Sequence, residues 1–207
     1  MKKKHYVPNA KARILSTAVR IFAQKGFDGS RVDQIAKAAN VPKSLIYYHF
    51  KSKDAILDEL VENCLSQYGR IMETVAEEAP EKSSTADLLE RIRHVYWKFL
   101  EENEDVVRVI SMESLKKNSP RAGLAFKFAE LLIRIEKRYI RQTRQLTEAE
   151  QNEHLVAEFF TSQIPVVLFF CLRDTFSECF NVKPETLSGQ FLKAYDATYG
   201  AYQRQKF

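Results

Sequence analysis

The sequence predicts an all-α protein in which three short helices precede a bundle of long ones. Two observations carry this. Glycine and proline number only six each in 207 residues, and apolar residues recur at helical spacing over long segments without the alternation of a half-buried strand. A hydrophobic content of 45% allows a sizeable core. No internal repeat or low-complexity stretch breaks the pattern.

Asn9 is placed to cap a first helix over about 10–25, in which Ile14, Leu15, Ala18, Val19 and Phe22 form one apolar stripe before Gly26 closes it. Ser30 then precedes Val32, Ile35, Ala36 and Ala39, a helical spacing over about 31–39, and Asp33 three residues after Ser30 resembles a capping box. Asn40-Val41-Pro42 interrupts the pattern, and a third helix over about 43–49 enters on Pro42, where a missing N–H is harmless. The turn calls for a positive φ at Asn40, which Asn tolerates better than most non-glycine residues. Beyond Lys51-Ser52-Lys53, longer helices are expected over about 54–78, 84–102, 104–117, 121–144, 148–178 and 185–204. Pro165 should kink the 148–178 helix by removing its own bond to Thr161.

Charge is divided unevenly along this series. Residues 1–53 carry 12 Lys/Arg against Asp28 and Asp33, a net of +10, whereas residues 54–207 hold 20 Lys/Arg against 25 Asp/Glu, a net of −5. We therefore divide the chain into a basic domain at 1–53 and a larger helical domain at 54–207. A basic head suits a polyanion, because Lys and Arg that neutralise phosphates release counterions; a solvated lysine face is the alternative.

Other classes lack their signatures. Cys64, Cys171 and Cys179 form no CxxC pair, so neither a disulfide framework nor a metal site is indicated, and a reducing cytoplasm fits. His5, His49, His94 and His154 show no metal-ligand spacing, and there is no Walker or GxGxxG loop. No catalytic set emerges, so no enzyme activity and no cofactor is expected. The N-terminal MKKKHYVPNA lacks a following apolar stretch, and the most apolar run, Ile164 to Leu172, is nine residues with Pro165 inside it, short of the roughly 20 a bilayer span needs. No membrane partner is expected.

Two short helices joined by a three-residue turn make a helix-turn-helix. Ala36 sits where the helices approach, Asn40 in the turn, and Ile46 packs back on the first helix. The run Lys43-Ser44-Leu45-Ile46-Tyr47-Tyr48-His49-Phe50-Lys51-Ser52-Lys53-Asp54 resembles the signature of the TetR family of transcriptional regulators, with the likeness covering about 10–56. On a two-turn helix Lys43, Ser44, Tyr47 and Tyr48 fall on faces that Ile46 and Phe50 do not claim, and so are free to enter a major groove. Lys43 suits guanine O6/N7, and Leu45 or Tyr47 a thymine methyl. Tyr48 and His49 resemble family positions that mostly touch phosphates. Ser30 and Arg31 at the start of the second helix and Lys53 at the start of the fourth suit phosphate, since backbone N–H groups and the helix dipole favour anions there. Core aromatics are the alternative for Tyr47, Tyr48 and Phe50, and a buried histidine is that for His49. Ser44 stands where the family commonly has glycine, and Lys2–Lys4 are either a tail or an arm toward a neighbouring groove.

The resemblance also implies a homodimer and an effector pocket. The last two helices are apolar almost all round, which demands burial on all sides; Phe159, Val167 and Phe170 with Phe191, Tyr195 and Tyr199 are the expected interface, a monomer core being the alternative. Arg93, His94, Trp97, Glu113, Phe126, Tyr139 and Gln163, with His154 beside them, are the expected contacts to a small-molecule effector, each with plain packing as its alternative. The expected function is a repressor that binds a palindromic double-stranded DNA operator as a dimer and is released by an effector. The alternative is a DNA-organising or division-linked binder without an inducer.

Overall fold

The computed structural model describes residues 10–78, 85–117, 119–139 and 147–206, and no strand occurs among them. Asn9 and Lys2–Lys4 lie outside the described residues. The first helices are α1 (Ala10–Lys25), α2 (Val32–Ala38), α3 (Lys43–His49) and α4 (Lys53–Glu77). They are followed by α5 (Thr85–Glu102), α6 (Glu104–Ser114), α7 (Leu124–Tyr139) and α8 (Glu148–Ala157).

Local chemistry sets the early boundaries. Gly26 closes α1 with φ +74°, and Asn40 adopts φ +52° in the turn between α2 and α3, a region that only glycine enters freely and that asparagine tolerates. Ser30 does not cap α2, because its hydroxyl is spent on the Phe27 carbonyl at 2.6 Å. Instead Arg31 is the cap residue, its N–H held by Gln34 Oε1 at 3.2 Å. Ser52 caps α4 by accepting from the Ala55 N–H.

The core runs without interruption from this basic head into the body. Ile14, Ala18 and Phe22 of α1 meet Ile35, Ala36 and Ile46 of the helix pair, and all are buried. Helix α4 carries the core onward through Ile56, Leu57, Val61, Cys64, Tyr68 and Met72. Tyr68 lies within 5.0 to 5.8 Å of the rings of Tyr96, Phe99 and Phe128, which ties α4 to α5 and α7. Burial pushes the Cys64 thiol up to about 12. Only the thiolate reacts, so iodoacetamide at pH 8 is expected to label exposed Cys179 and to reach Cys64 only when the chain is unfolded, as peptide mass mapping would show.

Helix α8 continues through a π segment (Glu158–Gln163) into α9 (Ile164–Phe180). Pro165 does not break the helix: it sits in the first turn of α9, directly after the π segment, where wider i→i+5 bonding accommodates a lost donor. The continuous Glu148–Phe180 helix is 33 residues long, with an 18-residue window long and apolar enough to cross a bilayer by length and composition. The nine-residue run read from sequence counted only unbroken apolar residues and so understated this window. In this fold Val166, Phe169 and Phe170 of the window pack into the core. After a turn at Asn181, φ +52°, come α10 (Pro184–Tyr195), a second π segment (Asp196–Gly200) and α11 (Ala201–Lys206).

Candidate nucleic-acid interface

Helix α3 is seven residues long, too short to be stable alone, so its position is set by its anchors. Ile46 is 1% exposed and Phe50 3%; both point into the head. The opposite face is open. Tyr48 is 80% exposed and Tyr47 48%, with Lys43 and Ser44 exposed beside them and Leu45 and His49 half-buried. The Tyr48 and His49 rings meet edge-on at 5.0 Å. The core-aromatic alternative thus holds for Phe50 and not for the two tyrosines.

Two basic groups already have protein partners. Lys43 Nζ pairs with Asp33 Oδ1 at 2.7 Å, and that carboxylate holds the lysine above its ordinary range. The pair is exposed and screened by solvent, so exchanging Asp33 for a base edge costs little. Lys53 is different. Its ammonium donates to the Phe27 and Ser30 carbonyls at 2.6 and 3.0 Å and lies 4.3 Å from the Phe27 ring centre. Lys53, expected at phosphate, here ties the α1–α2 turn to α4. Ser30, 2% exposed, likewise has its hydroxyl turned inward, whereas Arg31 is exposed at the start of α2.

A second constellation, which no sequence motif marks, joins this head to the loop between α6 and α7. Lys116 Nζ reaches Asp28 at 2.6 Å and Glu113 at 2.5 Å. Arg121 pairs with Asp54, and its guanidinium carbon lies 4.4 Å from the Phe27 ring centre. The hydrogen bond from Lys116 draws the Asp28 carboxyl below its ordinary value, and Lys116 is raised in turn. Glu113, expected as a ligand contact, is thus buried and committed to Lys116.

The same loop forms part of the wall of a cavity of about 360 Å³ enclosed by α5, α6, α7, the first π segment and α9. Of the expected effector contacts, Phe126 and Gln163 line it. Arg93 is half-buried and His94 exposed on α5, away from the cavity, while His154 is buried near the end of α8. Trp97 packs instead against Phe169, Phe170 and Phe191, at 4.7 to 6.0 Å between ring centres. The side chain of Tyr139 lies outside the described residues.

The expected interface residues face mostly inward. Phe170 is fully buried, and Phe159 and Tyr199 nearly so; Val167 lines the cavity. Phe191 stacks on Phe169 at 4.3 Å, and the Tyr195 hydroxyl meets Ser162 at 2.7 Å. What faces outward is a row on α9, Leu168, Leu172, Phe176 and Phe180, with Leu192 of α10. A helix apolar on every side does not reveal from sequence which side its own chain will cover.

A three-helix head with a short helix offering an open face has the geometry of a helix-turn-helix, a fold that places its second helix in the major groove of DNA. Residues 14–60 match the family described as bacterial regulatory proteins, tetR family. That match covers the three-helix head and the start of α4, under a quarter of the chain. Among its relatives is the biofilm operon icaADBC HTH-type negative transcriptional regulator IcaR of Staphylococcus aureus, 39% identical over 62 residues. The Staphylococcus epidermidis IcaR is 38% identical over 58. These matches span 28 to 30% of this chain and 31 to 33% of the relatives, about a third of their length. The fold over most of the chain is similar to that of FadR from Bacillus subtilis, solved in complex with stearoyl-CoA: 21% identity, 89% of this chain, 96% of that one, TM-score 0.65. It is similar also to the fatty acid degradation regulator FadR of Bacillus halodurans: 19% identity, 96% of this chain, 97% of that one, TM-score 0.64.

Proposed function

We propose that the chain is a cytoplasmic repressor that binds a palindromic double-stranded operator as a homodimer and releases it when a small molecule occupies the cavity. Residues 1–53 act as the DNA-binding domain, and residues 54–207 carry the effector site and the dimer contact. The observation that carries this reading is the open face of α3, with Lys43, Ser44, Tyr47 and Tyr48 exposed over the buried anchor Ile46. The outward row of Leu168, Leu172, Phe176 and Phe180 supports a two-fold contact through α9, because large apolar side chains in a continuous row favour a covered surface. The cavity favours an effector over a DNA-organising role without one. Its wall and the Lys116 and Arg121 contacts to the head share one loop, so a guest that displaces the loop acts on the spacing of the two α3 helices.

Footprinting across a promoter library tests the reading. The wild type should protect one palindrome. Lys43→Ala should still bind there but lose preference at one base position per half-site, a discrimination of about 1–3 kcal/mol for a bidentate base contact. Unaltered sequence preference in Lys43→Ala would remove the base-reading role, and no protected site at all would remove the function.

A further inference from the structure

We infer that the effector is an uncharged, mostly aromatic or aliphatic molecule carrying one hydrogen-bond acceptor, which the Gln163 side-chain amide takes up inside the cavity. The inference rests on reading that cavity as the effector site.

Three properties of the cavity select this class. Its walls include Tyr96, Phe126, Phe128, Phe159 and Phe160 and no Asp, Glu, Lys, Arg or His. An ionised group placed there would lose its hydration without a counter-charge, at a cost that neither dispersion nor apolar burial returns. The volume of about 360 Å³ lies toward the small end of ligand sites, roughly 300–1,000 Å³, which suits a compact guest. Finally, the polar groups on the wall are not equivalent. The Ser111 and Ser114 hydroxyls are turned back onto the Val107 and Ile110 carbonyls at 2.8 and 2.7 Å, and Ser114 also accepts from the Ala125 N–H. Gln163 is 4% exposed and its Nε2 is buried with no hydrogen-bond partner.

An unpaired amide N–H in a native interior is costly and rare, and this one stands on the wall of a cavity. Its place in the chain is specific too. Gln163 is the last residue of the π segment, and such wide turns inside long helices frequently mark functional positions. An acceptor on the guest would satisfy the donor that the protein leaves unmet.

Three probes of one shape separate the contributions: benzophenone has the acceptor, diphenylmethane lacks it, and 4-benzoylbenzoate adds a charge. Thermal-shift titrations of the full chain at pH 7 should rank benzophenone about tenfold above diphenylmethane, the worth of one well-made hydrogen bond. 4-Benzoylbenzoate should be at least tenfold weaker than benzophenone. In Gln163→Leu the benzophenone preference should fall to about one, with diphenylmethane binding unchanged and a melting temperature no lower than wild type. Ala125→Trp, which fills the cavity from α7, should lose all three probes.

The inference is overturned if 4-benzoylbenzoate binds as well as benzophenone, if Gln163→Leu keeps the preference, if Ala125→Trp still binds, or if no probe binds. The probe-free footprint is run in parallel. A footprint without the ligand ranking removes this inference and leaves the DNA-binding reading standing, whereas the ranking without a footprint does the reverse.

Discussion

Ile46→Ala should disorder the third helix and abolish specific DNA binding, although Ile46 itself is only 1% exposed. A truncation of this kind in a packed interior costs about 2–5 kcal/mol. Here the loss falls on a seven-residue helix whose own hydrogen bonds cannot sustain it. Hydrogen exchange should show it first, as faster exchange of the Phe50 amide, which bonds the Ile46 carbonyl at 2.8 Å. Tyr48→Ala is the contrast: at 80% exposure its removal should leave exchange unchanged and weaken DNA binding alone. Wild-type affinity in Ile46→Ala would show that α3 is held by something other than this anchor.

The second large effect is expected at Lys116→Met. Glu113 is 2% exposed, and among the described residues its charge partner is Lys116 at 2.5 Å. Removing the ammonium strands a buried carboxylate, a penalty of about 1–3 kcal/mol or somewhat more for a charged group. Asp28→Asn breaks the other contact of the same lysine, but Asp28 is 79% exposed and solvent screening leaves its loss a small effect. Denaturant midpoints of the two variants should therefore differ clearly, and equal midpoints would refute the assignment. The pH dependence has a definite sign. Asp28 is lowered by Lys116, so its contribution is present above the ordinary carboxyl range and fades as pH falls through the lowered value. Lys116 is raised, so its contribution is complete below the ordinary lysine range and fades as pH climbs through the raised value. Around neutrality the effect of Lys116→Met should be flat.

The head was legible because its signals are local. Gly26 and Asn40 mark turns by backbone conformation, and Ile35, Ala36 and Ile46 share one short-range pattern, so α1 to α3 fall within a residue of expectation. The body resisted for physical reasons. Phe159, Val167 and Phe170 read as one apolar mass, and only the packing of α9 on α5 and α10 decides that Phe170 turns inward while Leu172 and Phe176 turn out. The π segment adds to this, since an i→i+5 turn shifts the face that every later residue presents, and nothing in Glu158–Gln163 announces it. The partners of Lys53 were hidden for the opposite reason. Its charge suggested phosphate, but the carbonyls that hold it come from residues 23 and 26 positions away.

The junction around Phe27 has a mechanical consequence. Asp28 and Asp54, the carboxylates that Lys116 and Arg121 hold, are 79% and 58% exposed, so these pairs slacken as salt rises. Phe27 is 4% exposed and lies under both Lys53 and Arg121, a contact far less open to screening. Head and body are thus joined by one buried ring contact that salt leaves in place and by two ion pairs that salt weakens.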